Sequence, residues 1–109
     1  AGALTGKYLG GARPKGSRWS YSQRNGVFRD TPKVDKAVSA YIEVANKHGL
    51  SSPQLALAWC NQVDGVSSTI IGATSLEQLK EDISAFDLTL SKDVLQDVMA
   101  VFKEYPVPF

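Results

Sequence analysis

Cysteine is almost missing from this chain: Cys60 stands alone among 109 residues. One cysteine closes no internal disulfide. With no second Cys or His beside it, it builds no structural zinc site. No apolar run reaches the ~18 residues of a membrane span. The opening Ala-Gly-Ala-Leu-Thr-Gly-Lys lacks the basic start and apolar stretch of a signal peptide, and residue 1 is not Met. The expected location is cytoplasmic, with an organelle stroma left open. The length falls short of a complete α/β barrel, which needs roughly 250 residues. Acids are missing from one region. Residues 1–29 hold Lys7, Arg13, Lys15, Arg18, Arg24 and Arg29 and no Asp or Glu, while residues 30–109 carry all 11 acids. The net charge of +1 hides a basic segment that attracts phosphate, on nucleic acid or on a phosphorylated cofactor.

What is present suits one globular domain: 43% apolar and 21% charged residues, which excludes a disordered or collagen-like chain. Residues 1–31 read as a long loop, with Gly at 2, 6, 10, 11, 16 and 26 and no apolar period. A helix follows. Asp30 or Thr31 can cap it, and Pro32 suits its first position. Val34, Ala37, Val38, Tyr41, Ile42 and Ala45 give it one apolar face, and Gly49 offers a left-handed stop. A second helix is expected from Ser52 as cap and Pro53 as opener, with Leu55, Ala58 and Trp59 on one face. Val66 to Ile71 is short, β-branched and bounded by Gly65 and Gly72, so it reads as a strand. Thr74 and Ser75 each stand three residues before Glu77 and Gln78, a doubled capping box for a third helix. Leu76, Leu79, Ile83 and Phe86 are its expected buried stripe. A last helix after Ser91 presents Leu95, Val98 and Phe102, and Pro106 and Pro108 end it.

A lone strand is informative. Its edges carry backbone groups that cost about 1–3 kcal/mol each when buried unpaired. Ile70 and Ile71 point to opposite faces, so both faces expect cover, as in a parallel sheet. The favoured reading is an α/β chain that lends one strand to a sheet lying elsewhere. The other is that 66–71 is no strand.

Several sites invite chemistry. Gly2 to Lys7 fails as a Walker A loop, since three residues separate Gly2 from Gly6 and Tyr8 follows Lys7. A Gly loop beside a Lys can still approach a phosphate closely. The segment from Ile70 to Asp82 is richer: strand, turn, then a helix start whose N–H groups suit a phosphate. Gln78, Glu81 and Asp82 share one side of that helix and can bond a heterocycle or a ribose, although a capped, solvated helix start explains the same spacing. His48 reads as a helix-terminal cation, and Cys60 as a core thiol. Adjacent Glu81 and Asp82 make a poor acid/base dyad. Trp19, Tyr21 and Phe28 among Arg18, Arg24 and Arg29 fit single-strand nucleic-acid binding, and equally a loop packing its aromatics on a scaffold.

These residues together resemble the aldo-keto reductase family, in the branch holding Tas-type reductases and potassium-channel β-subunits. The resemblance runs from Leu4-Thr5-Gly6-Lys7-Tyr8 through Ala56-Leu57-Ala58-Trp59 to Ile71-Gly72-Ala73-Thr74-Ser75, with Glu77-Gln78-Leu79 and Glu81-Asp82. It covers nearly the whole chain, as the carboxyl-terminal third of the family's length. It implies an incomplete carboxyl-terminal part of a (β/α)8 TIM barrel. Residues 1–31 would be the cofactor-binding loop region, and 32–109 the helices with the last barrel strand at 66–71. It implies a nicotinamide dinucleotide, with Ala1 and Gly2 beside the pyrophosphate and Lys7 and Arg18 on phosphate. Gly72 and Thr74 would hold the 2′-phosphate, and Gln78, Glu81 and Asp82 would surround the adenosine. Gln78 stands where many relatives carry Arg, and Asp82 where many carry Asn. Gln contributes no charge to a 2′-phosphate and Asp repels one, so the resemblance implies NADP while NAD is left open.

The family's catalytic Asp, Tyr, Lys and His lie on earlier strands, and nothing in residues 1–109 matches them. The resemblance thus implies an NADPH-dependent oxidoreductase that reduces aldehydes and ketones, with this segment supplying cofactor binding. Its partners would be the remainder of the barrel, in the same or another chain, and a larger assembly. The alternatives are a non-catalytic structural or regulatory subunit and, less favoured, a basic nucleic-acid-binding module.

Overall fold

The computed structural model describes residues 2–21 and 30–108. Arg24, Phe28 and Arg29 of the basic segment lie outside them, as does Ala1. The described residues hold five α-helices: α1 (Arg18–Tyr21), α2 (Pro32–Lys47), α3 (Ser52–Gln62), α4 (Leu76–Ser84) and α5 (Lys92–Glu104). Three single 3-10 turns, Ala3–Thr5, Leu9–Gly11 and Ala85–Asp87, complete the regular structure. Among the described residues no helix is long and apolar enough to cross a membrane.

Local chemistry places the helix ends. The Thr31 hydroxyl accepts from Val34 N at 3.2 Å and donates to the Pro108 carbonyl at 2.8 Å. The entry of α2 is thereby tied to the chain's carboxyl-terminal tail. Gly49, at φ 69°, ends α2 and lets Leu50 N–H reach the Ala45 carbonyl at 2.9 Å. Ser91 caps α5. The cap of α3 is Ser51, one residue earlier than the sequence suggests. Ser51 Oγ accepts from Gln54 N at 3.3 Å while Gln54 Oε1 accepts from Ser51 N at 3.1 Å, a complete capping box. Ser52 has no Glu or Gln three residues on, so Ser51 wins.

The core lies where α2, α3 and α5 meet. Val44, Ala45, Leu55, Ala58, Leu90, Val94, Val98 and Val101 are buried together. On α5 the buried stripe is Val94, Val98 and Val101. Leu95 is only partly buried and Phe102 is half exposed. A 3.6-residue period permits either of two neighbouring stripes, and packing chooses. The turn at 85–87 and α4 pack on α3. Gln62 clasps Leu90 from both sides, its Nε2 donating to the Leu90 carbonyl at 3.3 Å and its Oε1 accepting from Leu90 N at 2.5 Å.

Asp97 on α5 joins α2 to α5. Its Oδ2 lies 2.8 Å from Lys47 Nζ and 2.7 Å from His48 Nε2. His48 thus stands at a helix end against a carboxylate. The hydrogen bonds from Lys47 and His48 hold the Asp97 carboxyl below its ordinary range. A depressed folded-state pKa contributes stability above the unfolded value, and that stability is lost as pH falls through the folded one. We expect the stability difference between the native chain and Asp97→Asn to be present at neutral pH. It should fade as pH drops below about 4. Urea midpoints measured across pH check this.

Three further expectations require correction. Val66 to Ile71 forms no strand among the described residues. Ile70 is 97% exposed. A strand needs a ladder partner, and none lies beside it among the described residues. The α/β class expected from the sequence is therefore seen here only as its helical part. The stripe on α4 is also not buried: Leu76, Leu79 and Ile83 are exposed. Only Phe86, beyond its end, is partly covered. Nor is the amino-terminal segment structureless, since 2–21 holds two 3-10 turns and α1.

Candidate dinucleotide-phosphate site

The expected site residues fall into two groups. The first lies on the amino-terminal segment. Gly2 adopts φ 79°, a left-handed conformation that favours glycine. The Lys7 side chain folds over it: a Cβ on Gly2 would stand 2.7 Å from Lys7 Nζ. A side chain at Gly2 would displace that ammonium as well as strain the left-handed backbone. Gly6 is likewise left-handed, at φ 79°, and a Cβ there would meet Ile42 Cδ1 at 2.7 Å. The close approach of Gly6 to α2 anchors the loop beside Lys7. Gly10 N–H adds a bond to Asp35 Oδ2 at 3.0 Å. Arg18 opens α1 and is exposed. Neither Lys7 nor Arg18 forms an ion pair among the described residues. A cation without an ion-pair partner among the described residues beside a close-approach glycine, as Lys7 lies beside Gly2, suits an anionic ligand.

Behind these cations lies a feature that sequence reasoning missed. Tyr8 and Trp19 stack, with centroids 4.0 Å apart and planes at 9°. Both are buried. Lys7 Nζ lies 5.5 Å from the Tyr8 centroid, and Arg13 Cζ lies 5.2 Å from that of Trp19. Arg13 also pairs with Asp30. The available sequence signal was an aromatic residue directly after each cation, Lys7-Tyr8 and Arg18-Trp19. Trp19 serves packing here and is closed to stacking on a nucleic-acid base. Tyr21 is exposed.

The second group surrounds the start of α4. Gly72 and Thr74 are exposed. Ser75 Oγ caps the helix by accepting from Gln78 N at 3.2 Å. Gln78 Oε1 accepts from Thr74 N at 2.9 Å and from Thr74 Oγ1 at 3.1 Å. The Gln78 amide NH₂ remains as a donor. Glu77 bonds its own backbone N–H and the Ser75 hydroxyl, and both interactions hold its carboxyl below the ordinary range. The sequence suggests open N–H groups here; the structure caps several of them internally.

Glu81 is partly buried, and its Oε1 accepts from Ser51 Oγ at 2.5 Å. Oε2 is left as an acceptor. Gln54 Nε2 donates to Ser84 Oγ at 3.3 Å, so the cap of α3 also sets the rotation of α4. Asp82 is partly buried beside Glu81. Each group is locally organised, but no hydrogen bond or ion pair between described residues joins Gly2, Lys7 and Arg18 to Gly72, Thr74 and Gln78.

Comparison with known proteins follows this geometry. The model of the Aldo/keto reductase family matches residues 1–103. "Protein tas" of Escherichia coli (strain K12) is 43% identical over 107 residues, covering 98% of this chain and 31% of that protein. "Probable voltage-gated potassium channel subunit beta" of Arabidopsis thaliana is 34% identical over 110 residues, covering 97% and 34%. "L-glyceraldehyde 3-phosphate reductase" of E. coli (strain K12) is 38% identical over 103 residues, covering 89% and 29%. The chain spans about a third of the length of these curated relatives.

Proposed function

Since this chain belongs to the aldo/keto reductase family, we propose that it carries the dinucleotide-phosphate site of an NADPH-dependent oxidoreductase reducing aldehydes or ketones to alcohols. One observation carries the reading: Lys7 folds its ammonium onto Gly2 with no carboxylate partner among the described residues, on a loop that also presents Arg18. Lys7 and Arg18 meet the phosphates, with Ala1 and Gly2 alongside. Gly72, Thr74 and the amide of Gln78 take the 2′-phosphate end. Glu81, through Oε2, and Asp82 take the adenosine. The bound cofactor supplies the hydride, and the residues of this chain bind and orient it. NADP is preferred over NAD, because the Gln78 amide NH₂ stays available as a donor to the additional phosphate.

The remainder of a (β/α)8 barrel, with Val66 to Ile71 as its last strand, covers the apolar surface left open here. Ile70, Leu76, Leu79 and Ile83 are exposed on consecutive stretches of the chain. A groove of about 290 Å³ lies between α3 and α5, lined by Leu4, Tyr41, Leu55, Trp59, Met99 and Phe102. Apolar surface of this extent ordinarily receives a partner surface.

The test is titration of the full polypeptide with NADPH. Reversing either cation, Lys7→Glu or Arg18→Glu, is expected to raise the dissociation constant roughly tenfold or more, the worth of a charge-assisted contact. An unchanged constant removes that residue from the site. A second reading, a non-catalytic subunit of an assembly, draws on the relative named as a potassium channel subunit. It predicts NADPH binding without turnover of any carbonyl compound, which a consumption assay distinguishes.

A further inference from the structure

Lys7-Tyr8 and Arg18-Trp19 share one construction. In each pair a cation without an ion-pair partner among the described residues precedes an aromatic ring, and the two rings meet face to face at 4.0 Å. The chain between them is permissive: Gly10, Gly11 and Gly16 all adopt positive φ, and the turn at Leu9–Gly11 is kinked at Gly10. Such a linker does not by itself fix the spacing of its ends. The ring pair opposes that freedom, with Tyr8 3% and Trp19 6% exposed. Arg13, seated over the Trp19 ring and paired with Asp30, secures the stack to the start of α2.

We infer that Trp19, stacked on Tyr8, is a positioning residue that holds Lys7 and Arg18 at a fixed spacing and thereby sets affinity for the dinucleotide phosphates. This rests on the reading that those two cations meet the cofactor. The stack acts by preorganisation, ordering the cationic loop before the ligand arrives. The indole nitrogen points to the same conclusion. Trp19 Nε1 is buried with no hydrogen-bond partner among the described residues, so the indole contributes its ring area. A plain aromatic ring should therefore serve in its place.

The experiment measures NADPH dissociation constants on the full polypeptide. Trp19→Leu keeps an apolar side chain and removes the ring; we expect a roughly tenfold rise. Trp19→Phe keeps a ring and should stay within about twofold of the native value. A double-mutant cycle with Lys7→Met separates positioning from bulk stability. If Trp19 acts through Lys7, the double variant is only slightly weaker than the weaker single variant; independent effects would multiply to roughly a hundredfold. An unchanged constant in Trp19→Leu, failure of Phe to rescue, or multiplicative effects each overturn the inference. If Trp19→Leu does not fold, Tyr8→Leu removes the same stack from its other side, with Tyr8→Phe as the ring-keeping control. The native titration tests the cofactor reading separately. Without NADPH binding there, that reading fails; with binding there, only the variants decide the role of Trp19.

Discussion

Replacing Leu55 with Ala is expected to lower the unfolding free energy by about 3 kcal/mol, read from urea or guanidinium denaturation. Leu55 is 4% exposed and sits where α2, α3 and α5 converge. The cost has two parts, the lost transfer of the side chain from water and the void it leaves. The void is hard to close here. Ala45 and Ala58, both fully buried in the same cluster, have no longer side chain to move into it. Leu55 also lines the apolar groove, so its loss extends that groove into the core. A cost below about 1 kcal/mol would mean that the helices collapse onto the gap, contrary to the rigid contact described.

Gly6→Ala is expected to cost about 2 kcal/mol and to weaken NADPH binding at the same time. At φ 79° an added Cβ strains the backbone, and it would also meet Ile42 Cδ1 at 2.7 Å. Relief comes from turning the tip of Ile42 or from shifting the loop, on which Lys7 is the next residue. Gly10→Ala and Gly11→Ala separate the two causes. Their φ values, 65° and 80°, impose similar strain, but nothing lies within 4 Å of a Cβ at either position. Each should cost only about 1 kcal/mol. Equal losses at all three positions would show that the approach to Ile42 contributes nothing.

Much of the chain's local structure was legible because its causes lie within four residues. Thr31-Pro32, Ser75 with Gln78, and Ser91 satisfy the orphan N–H groups of their helices from nearby, and Gly49 stops α2 through its own backbone freedom. Even the misplaced cap of α3 had a local answer, since only Ser51 has Gln54 three residues on. The doubled capping box at Thr74 and Ser75 resolved differently from its pattern. Ser75 caps the helix, and Thr74 instead gives both its N–H and its hydroxyl to Gln78.

The sequence alone determined the four longer helices and which family the motifs resemble. Cap chemistry, charge and residue order act at short range or are carried in the residues themselves. Only the tertiary structure decided that Val94 and Val101 turn inward instead of Phe102, that Glu81 is engaged by Ser51, and that Tyr8 meets Trp19. It also left Val66 to Ile71 unpaired. These outcomes depend on which surfaces touch across long stretches of chain. A periodic pattern names the candidates for such contacts, but only a packed partner, or its absence, selects among them.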